Sequence, residues 1–197
     1  MEKDIKFTDQ LSVRKARHED IDAIMKIAST VGKGTKNHRQ GFLMDDYTKN
    51  IEGHRRNMAT KIETLDYFYV AVAEEVVGFL MGYTKDQWLE LNPNWLDDVY
   101  WHPEMDRRKL DRFILIDKTA IRSNLTGLGI GSKIYEKLIK DMRGKNISNI
   151  FAETLIAPIP NFASLEFRLK QKYQLCGFRY ERYQGRVLST LVYNKEI

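Results

Sequence analysis

The sequence predicts an α/β fold in which a central mixed sheet carries helices on both of its faces. Three observations lead to this class. A strand, a glycine-rich turn and a helix follow one another between Asp111 and Arg143. Two pairs of short apolar strands flank that segment, at residues 67–83 and 178–193, and each pair is joined by a tight turn. Helical apolar periodicity recurs between these strands.

The chain of 197 residues has the length of one domain with a proper core, so we expect a single domain over residues 1–197. Charged residues make up 30% of the composition and the hydrophobic set 43%, which is typical of a soluble globular protein. No apolar run reaches membrane-spanning length, so no membrane partner is expected. The one cysteine, Cys176, excludes an intrachain disulfide and makes the cytoplasm the expected compartment.

The first predicted element is a strand at Leu11–Ala16, where apolar and polar residues alternate. Glu19-Asp20 then begins a helix, because acidic residues are favoured in a first helical turn. The apolar side of this helix consists of Ile21, Ile24, Met25 and Ile27. Gly32 and Gly34 should stop it. A second helix is predicted to start at Met44–Tyr47.

Two strands, Tyr67–Ala73 and Val76–Tyr83, form a predicted hairpin around Glu74-Glu75. An insertion at residues 84–112 follows, and it contains all three tryptophans together with several carboxylates. These residues are Trp88, Trp95, Trp101, Glu90, Asp97, Asp98, Glu104 and Asp106. Such an aromatic and acidic surface could attract a cationic amine by charge and by cation–π contact. Alternatively, the tryptophans pack inward, as in an ordinary amphipathic segment.

The strand, glycine-rich turn and helix between Asp111 and Arg143 contain the residues that indicate ligand binding. Phe113–Ile121 is rich in apolar and β-branched residues and has the length of a buried strand. Thr126–Ser132 holds three glycines at alternate positions, and a helical pattern follows directly. The apolar face of that helix consists of Ile130, Ile134, Leu138 and Met142, with Tyr135 and Ile139 beside them. Because first-turn amides lack helical partners and glycines lack Cβ atoms, the amides of Leu128–Ser132 are expected to bind a diphosphate.

The last third of the chain predicts a strand, a helix and a hairpin. The strand is Ile147–Leu155, and a proline-stiffened turn leads from it to a helix for which Asn161 is the N-cap. Gly177 is expected to end that helix as its C′ residue. The closing hairpin consists of Phe178–Tyr183, the turn Gln184-Gly185 and Val187–Tyr193.

The glycine turn does not fit two familiar phosphate motifs. A P-loop requires Gly-Lys-Ser/Thr where this chain has Ser132-Lys133-Ile134, and the dinucleotide fingerprint fails because Ser132 takes its last glycine position. Gly129-Ile130-Gly131 instead resembles the second half of the acetyl-CoA-binding motif (Gln/Arg)-x-x-Gly-x-(Gly/Ala) of the GNAT superfamily of acyl-CoA-dependent N-acyltransferases. Thr126 stands where that motif has Gln or Arg.

A second region is similar to the same superfamily. Asn161 and Ser164 match a frequent Asn-x-x-(Ala/Ser) helix start, and Gly177-Phe178 matches a frequent ending. Residues 152–167 are also similar to a bacterial branch with a Pro-x-Pro-Asn-x-x-Ser segment. The resemblance implies acetyl-CoA as co-substrate, no metal, and a strongly bent mixed sheet. The cofactor-binding residues that it implies are Ala120, Ile121, Arg122, Thr126, Gly127, Leu128, Gly129, Ile130, Gly131, Ser132, Asn161 and Ser164.

The resemblance also implies direct transfer of an acetyl group to a primary amine in a ternary complex. An alkyl amine has a pKa of about 10, so it must lose a proton before or during attack. Two carboxylates are candidates for the base that assists this loss. Glu153 stands at the acidic position of the branch pattern, and Asp117 lies inside an apolar strand. Asp117 could equally be a structural residue.

The leaving thiolate needs a proton donor, and the sequence offers two positions for it. Counting back from Gly177-Phe178 gives Tyr173, whereas counting forward from Ser164 gives Arg168, because this segment is longer than the superfamily norm. We favour Tyr173, since a phenol can donate a proton and also be buried.

Two other functions stay open at this level. One is a non-catalytic acyl-CoA sensor that keeps the glycine turn. The other is an RNA- or ribosome-associated module that uses a basic face. Its residues would be Lys133, Lys137, Lys140, Arg143, Lys145, Arg168, Lys170 and Lys172. The net charge of +5 is modest, so nucleic acid is not the expected partner. We expect a small-molecule or peptide amine as acceptor, and a monomer or homodimer.

Overall fold

The structure is a computed structural model that describes residues 11–31 and 37–197. In that part of the chain the strands are β1 (Ser12–Lys15), β2 (Tyr67–Val72), β3 (Val76–Thr84), β4 (Tyr100–Trp101), β5 (Phe113–Ile121), β6 (Asn149–Ala157), β7 (Gln174–Tyr183) and β8 (Arg186–Glu196). The α-helices are α1 (Ile21–Thr30), α2 (Ile51–Thr64), α3 (Lys85–Leu91), α4 (Trp95–Asp98), α5 (Ile130–Arg143) and α6 (Phe162–Lys170). Short 3-10 helices lie at His18–Asp20, Arg107–Leu110 and Ser123–Leu125.

The strands pair in the order β1-β2-β3-β5-β6-β8-β7-β4. β5 runs parallel to β6, whereas β8 is antiparallel to both β6 and β7, so the sheet is mixed. The predicted α/β class with a mixed central sheet is therefore confirmed. The described residues divide into two compact units. The first contains residues 11–31, 43–81 and 118–141, and the second contains residues 37–42, 82–117 and 142–197.

In the first unit, β1 and α1 form as the sequence predicts. β1 pairs antiparallel with β2, and α1 buries its whole predicted apolar side. Asp20, which precedes α1, accepts hydrogen bonds from the Arg17 N–H at 2.8 Å and from the Arg14 guanidinium at 2.6 Å. These bonds fix the start of the helix. The two glycines predicted to stop it, Gly32 and Gly34, lie outside the described residues.

Helix α5 has the predicted amphipathic pattern. Five residues of its apolar face are at most 1% exposed: Ile130, Ile134, Tyr135, Leu138 and Met142. On its other side, Asp141 accepts hydrogen bonds from the Tyr69 hydroxyl at 2.8 Å and from the Lys137 ammonium at 2.6 Å. Burial opposes ionisation of Asp141, but these two bonds outweigh it and hold the pKa of the carboxyl below its usual value. The helix is thus fastened to β2 within the first unit.

In the second unit, β6 lies between β5 and β8. The parallel ladder with β5 runs from Phe113↔Asn149 to Ile116↔Ala152. β7 continues into β8 through the turn Gln184-Gly185, where the two residues have positive φ angles of 48° and 76°. The closing hairpin is confirmed, and its strands are longer than predicted.

The tryptophans of the insertion pack inward. Trp95 is fully buried, and four aromatic rings lie with their centroids 5.4 to 6.4 Å from its own. Those rings belong to Trp88, Trp101, Phe113 and Phe151. Their edge-on and tilted geometry is that of a packed aromatic core. The inward-packing interpretation is confirmed, and the insertion is part of the core of the second unit.

The start predicted for the second helix at Met44–Tyr47 is wrong. Helix α2 begins at Ile51, after Asn50 in the left-handed conformation with φ 46°. The Asp46 carboxylate accepts hydrogen bonds from the Thr48 N–H at 3.1 Å and the Thr48 hydroxyl at 2.6 Å. This local turn competes with helix formation, because it satisfies the backbone in a non-helical geometry.

The C′ role predicted for Gly177 is also wrong. Helix α6 ends at Lys170, Lys172 takes a left-handed φ of 59°, and Gly177 lies inside β7, opposite Trp101 of β4. A Cβ atom at position 177 would lie 2.8 Å from Val99 Cγ1 and 3.0 Å from the Tyr100 carbonyl oxygen. The glycine therefore permits close strand approach and does not cap a helix.

We predict that Gly177→Ala destabilises the protein by about 1 to 3 kcal/mol, because the new methyl group overpacks the β4–β7 contact. The measurement is the urea midpoint of unfolding. Leu175→Ala is the control, since Leu175 is on the same strand and 54% exposed. A Gly177→Ala midpoint equal to that of Leu175→Ala would contradict the close-approach role.

Candidate functional site

The segment Thr126–Ser132, which we call the glycine turn, follows a 3-10 helix in the first unit and includes the first residues of α5. Gly127 and Gly129 have φ angles of 84° and 83°, in the region that favours glycine. A Cβ atom at Gly127 would meet no described atom within 4 Å, so the space beside it is open. The glycines are required by backbone conformation and leave this stretch of main chain accessible.

Helix α5 begins at Ile130, within the glycine turn. The Lys133 N–H donates to the Gly129 carbonyl at 3.1 Å, in the i to i−4 pattern of the helix. The amide groups before Lys133 precede that pattern, and the helix dipole adds partial positive charge at the same place. This local geometry, an open glycine turn leading into a helix N-terminus, is suited to binding an anionic oxygen group.

The end of β5 is fastened to β3 within the first unit. The Arg122 N–H donates to the Val77 carbonyl at 2.9 Å, and its guanidinium donates to the Val76 carbonyl at 3.1 Å and forms an ion pair with Glu75. Arg122 lowers the pKa of the Glu75 carboxyl through this contact. A Cβ atom at Gly78 would lie 2.5 Å from Ile121 Cδ1, so β3 approaches this strand closely. Arg122 is therefore a structural anchor of the glycine turn.

Glu153 lies on β6 in the second unit, and its side chain is only 16% exposed. The Trp95 indole N–H donates to Glu153 Oε1 at 2.5 Å, and Arg179 Nε lies 2.8 Å from the same oxygen. Arg179 also donates to Glu181 at 2.8 Å. Burial raises the pKa of the Glu153 carboxyl, and the Arg179 charge and the Trp95 hydrogen bond offset only part of this effect. We call Trp95, Glu153, Arg179 and Glu181 the carboxylate cluster.

Asp117, the other candidate base, lies at the end of the same ladder as Glu153. The last paired residues of β5 and β6 are Ile116 and Ala152, and each candidate is the next residue on its strand. Asp117 is partly exposed, unlike the four fully buried residues that begin β5. The two candidate bases therefore occupy equivalent positions, but only Glu153 is part of the carboxylate cluster.

Asn161 has the predicted N-cap role at the start of α6. Its side-chain oxygen accepts from the Ser164 N–H at 3.2 Å, and its side-chain nitrogen donates to the Phe42 carbonyl at 3.1 Å. The Ser164 hydroxyl lies 3.0 Å from the Thr154 hydroxyl of β6. Both residues predicted to bind a cofactor thus also have a structural role, because they join α6 to its neighbours.

The two candidates for the proton donor contact each other. Tyr173 is 5% exposed, its N–H donates to the Arg168 carbonyl at 3.0 Å, and the Arg168 guanidinium lies 5.1 Å from its ring centroid. Arg168 is itself buried in α6. The selection of Tyr173 rests on counting back from Gly177 as the end of the helix. Because Gly177 does not end the helix, that count no longer supports Tyr173. The structure shows at Tyr173 a buried ring in cation–π contact with Arg168.

The sequence-predicted site residues fall into two groups. The first unit holds Ala120, Ile121, Arg122 and the glycine turn, and the second holds Asp117, Glu153, Asn161, Ser164 and Tyr173. Sequence reasoning missed Trp95 and Arg179 as partners of Glu153. The one available signal was a single charged residue, Arg179, between two aromatic residues in the predicted strand at Phe178–Tyr183.

The basic face considered for RNA binding is partly neutralised by its own helix. Lys133 pairs with Glu136 at 3.2 Å, and Lys137 pairs with Asp141 at 2.6 Å. Residues 11–31 and 37–197 contain no cluster of three or more His, Cys, Asp or Glu side chains arranged to hold a metal. Across the same residues, no helix combines the length and the apolar character that a membrane crossing requires.

The sequence and the fold were compared with known proteins. The family described as Acetyltransferase (GNAT) family matches residues 40–167, which is more than half of the chain. No curated protein sequence matches. The fold matches the polyamine N-acetyltransferase of Drosophila melanogaster with a TM-score of 0.62 and 10% identity, over 95% of this chain and 100% of that one.

Two further solved structures share the fold. An N-acetyltransferase from Thermoplasma acidophilum in complex with coenzyme A gives a TM-score of 0.61 and 14% identity, over 95% of this chain and 99% of that one. Arabidopsis thaliana NAA60 in complex with acetyl-CoA gives 0.62 and 10%, over 95% and 99%. At these identities the likeness establishes the fold alone. Fold and family match together define an acetyltransferase. The chain belongs to the GNAT family of acetyltransferases.

We predict that Asn161→Ala destabilises the protein by about 1 to 3 kcal/mol, because it removes both the helix cap and the donor to the Phe42 carbonyl. Glu166→Ala is the matched control, since Glu166 is exposed on the same helix and should change stability by less than about 0.5 kcal/mol. The measurement is the free energy of unfolding in urea. Equal values for the two variants would show that Asn161 is dispensable for the fold.

Proposed function

We propose that the protein is an acetyl-CoA-dependent N-acetyltransferase that acetylates a primary amine by direct attack in a ternary complex. The observation that carries this proposal is the glycine turn leading into α5, in a chain that belongs to the GNAT acetyltransferase family. The family match at residues 40–167 includes segments of both units, which supports one catalytic domain. The Pro-x-Pro-Asn segment supports assignment to a bacterial branch of the family.

The residues of the glycine turn fit the diphosphate of acetyl-CoA. The open space beside Gly127 and the amides of Leu128–Ser132 would accommodate phosphate oxygens without a cationic side chain. Arg122 would contribute by holding the turn in place, because its side chain is already paired with Glu75. Thr126 replaces the usual Gln or Arg, so the main chain would carry most of the contact. When bound, acetyl-CoA supplies an acetyl group activated as a thioester.

Glu153 is the base that we favour. A base acts best when its pKa lies near the working pH, and burial moves the pKa of Glu153 in that direction. Glu153 would take a proton from the attacking amine, directly or through one water molecule. The backbone N–H near Ile121 would donate a hydrogen bond to the carbonyl oxygen as negative charge develops there. Asp117 is the alternative base.

Tyr173 is the proton donor that we favour for the departing sulfur. A phenol has a pKa of about 10, whereas a guanidinium ion holds its proton above pH 12, so Arg168 is a poor acid. Arg168 would instead polarise the phenol through its position over the ring. Asn161 and Ser164 would act by holding α6 next to Tyr173.

The acceptor is proposed to be a small-molecule or peptide amine. One structural neighbour is a polyamine N-acetyltransferase and another is a ribosomal-protein-alanine N-acetyltransferase, which places both classes in the first test. The test is a thiol-release assay with acetyl-CoA and a panel of amines: amino acids, polyamines, aminoglycosides and peptides with free N-termini. Release with one class supports the enzyme. Tight acetyl-CoA binding without release from any class would favour the non-catalytic sensor.

From the glycine turn we predict that acetyl-CoA at a hundredfold excess over its Kd stabilises the fold by about 2.7 kcal/mol. Gly131→Glu should keep the wild-type melting temperature without ligand and lose this stabilisation, because its carboxylate would repel phosphate at the helix N-terminus. Asn57→Glu, at an exposed position of α2, is the control for added negative charge. The stabilisation is measured by thermal melts of the wild type and the two variants with and without acetyl-CoA. Retained stabilisation in Gly131→Glu would show that the diphosphate does not bind at this turn.

For the proton donor we predict that Tyr173→Phe lowers kcat by about 100-fold or more at unchanged acetyl-CoA affinity. Phenylalanine keeps the ring against Arg168 and removes only the hydroxyl. Tyr180→Phe is the control, because Tyr180 is 58% exposed on β7 and should retain wild-type kcat. Steady-state kinetics with the best amine of the panel gives the answer. Wild-type turnover in Tyr173→Phe would assign the proton to water or to Arg168.

A further inference from the structure

The carboxylate cluster has an asymmetry that concerns the mechanism. Both polar contacts to Glu153 fall on Oε1, the Trp95 indole N–H at 2.5 Å and Arg179 Nε at 2.8 Å. The Trp95 hydrogen bond and the Arg179 charge therefore both act on Oε1, although the Arg179 Nε–H is not aligned to form a hydrogen bond with it. Trp95 is fully buried and Arg179 is 5% exposed, so neither donor can move without repacking the second unit.

We propose that Trp95 and Arg179 are positioning residues that hold Glu153 by Oε1, so that Oε2 takes the proton of the acceptor amine, and that Glu181 sets the strength of this base through Arg179. This inference rests on the proposed function of Glu153. The step breaks an N–H bond of the amine and forms an O–H bond at Oε2, while the nitrogen lone pair bonds to the acyl carbon and the π pair of the carbonyl moves to its oxygen. When that carbonyl re-forms, the C–S bond breaks and coenzyme A leaves as its thiolate. Trp95 and Arg179 keep their own protons throughout.

The surroundings of Glu153 make the cluster electrostatically simple. The charged groups near it are Arg179 and Glu181 on β7, with Asp117 at the end of the neighbouring strand. α4 contributes the neutral Trp95, and β8 places Val192 directly opposite Glu153. The charge of Arg179 and the Trp95 hydrogen bond favour the ionised form of Glu153, whereas the charge of Glu181 disfavours it.

The pKa of Glu153 is therefore expected to move in opposite directions when a group that supports the carboxylate is removed and when a like charge is removed. Trp95→Phe and Arg179→Gln remove support for the carboxylate, so the pKa of Glu153 should rise in both variants. Glu181→Gln removes a like charge and keeps an acceptor for the guanidinium, so the pKa of Glu153 should fall. A role in packing alone would not give shifts of opposite direction.

The first readout needs no acceptor. The indole N–H of Trp95 donates to Glu153, so its resonance in a ¹⁵N-labelled protein should move with pH as Glu153 titrates. Trp95→Phe assigns the resonance, and Glu153→Gln should abolish its titration. The midpoint should rise in Arg179→Gln and fall in Glu181→Gln. Arg182→Gln, an exposed arginine on the same strand, is the matched control and should leave the midpoint unchanged.

The second readout is the acid limb of kcat/KM, measured with acetyl-CoA and the best amine of the panel. It reports the base of the free enzyme, so its midpoint should equal the NMR midpoint and move with it in Arg179→Gln and Glu181→Gln. Trp95→Phe lacks the reporter indole and is followed by the acid limb alone. Thermal melts confirm that the variants are folded. If Arg179→Gln does not fold, Glu181→Gln and Trp95→Phe still test the sign.

The outcomes distinguish failure of Glu153 as the base from failure of the positioning roles. Wild-type activity in Glu153→Gln would remove Glu153 as the base and this inference with it. An inactive Glu153→Gln, with the acid limb unmoved in folded Trp95→Phe and Glu181→Gln, would overturn the positioning roles alone. Shifts of the same sign in those two variants would also overturn them. The proposal is supported by opposite shifts of Arg179→Gln and Glu181→Gln in both readouts, with Trp95→Phe shifting the acid limb in the same direction as Arg179→Gln.

Discussion

The burial of one carboxylate, that of Glu153, is a strong constraint on the packing of the second unit. An ionised group removed from water needs donors in good geometry, and a missing donor is costly. Here the hydrogen bond comes from α4 and the compensating cation from β7, two elements remote in sequence from β6. The indole of Trp95 can reach Oε1 only if the insertion packs into the core. Arg179 can reach it only in the register that β7 adopts on β8.

The same constraint explains which face of the closing hairpin is buried. The alternation of Phe178, Arg179 and Tyr180 would normally direct the aromatic side chains inward. In the structure Arg179 is 5% exposed, whereas Phe178 and Tyr180 are 41% and 58% exposed. A shift of one residue would bury the rings and leave Glu153 without its cation. The observed register places a cation beside the buried carboxylate, and the two aromatic side chains remain at the surface.

Features fixed by neighbouring residues were predictable from the sequence, and features fixed by distant ones were not. The strand, the glycine turn and the apolar face of α5 follow from signals within one segment. The partners of Glu153 depend on tertiary register. The error at Gly177 has the same origin, because a glycine before an apolar residue is typical both of a helix end and of a strand contact. Only the proximity of Val99 and Tyr100 distinguishes the two cases.

The two groups of site residues would respond differently to pH. The glycine turn offers main-chain amides and a helix dipole, which do not titrate, so the protein's part in binding a diphosphate stays constant across the neutral range. Glu153 offers a carboxylate whose pKa is raised by burial. With Glu153 as the proposed base, acid should reduce acetyl transfer and leave the protein's part in co-substrate binding almost unchanged. The separation follows from chemistry alone: an amide cannot gain a proton in the range where a buried carboxylate does.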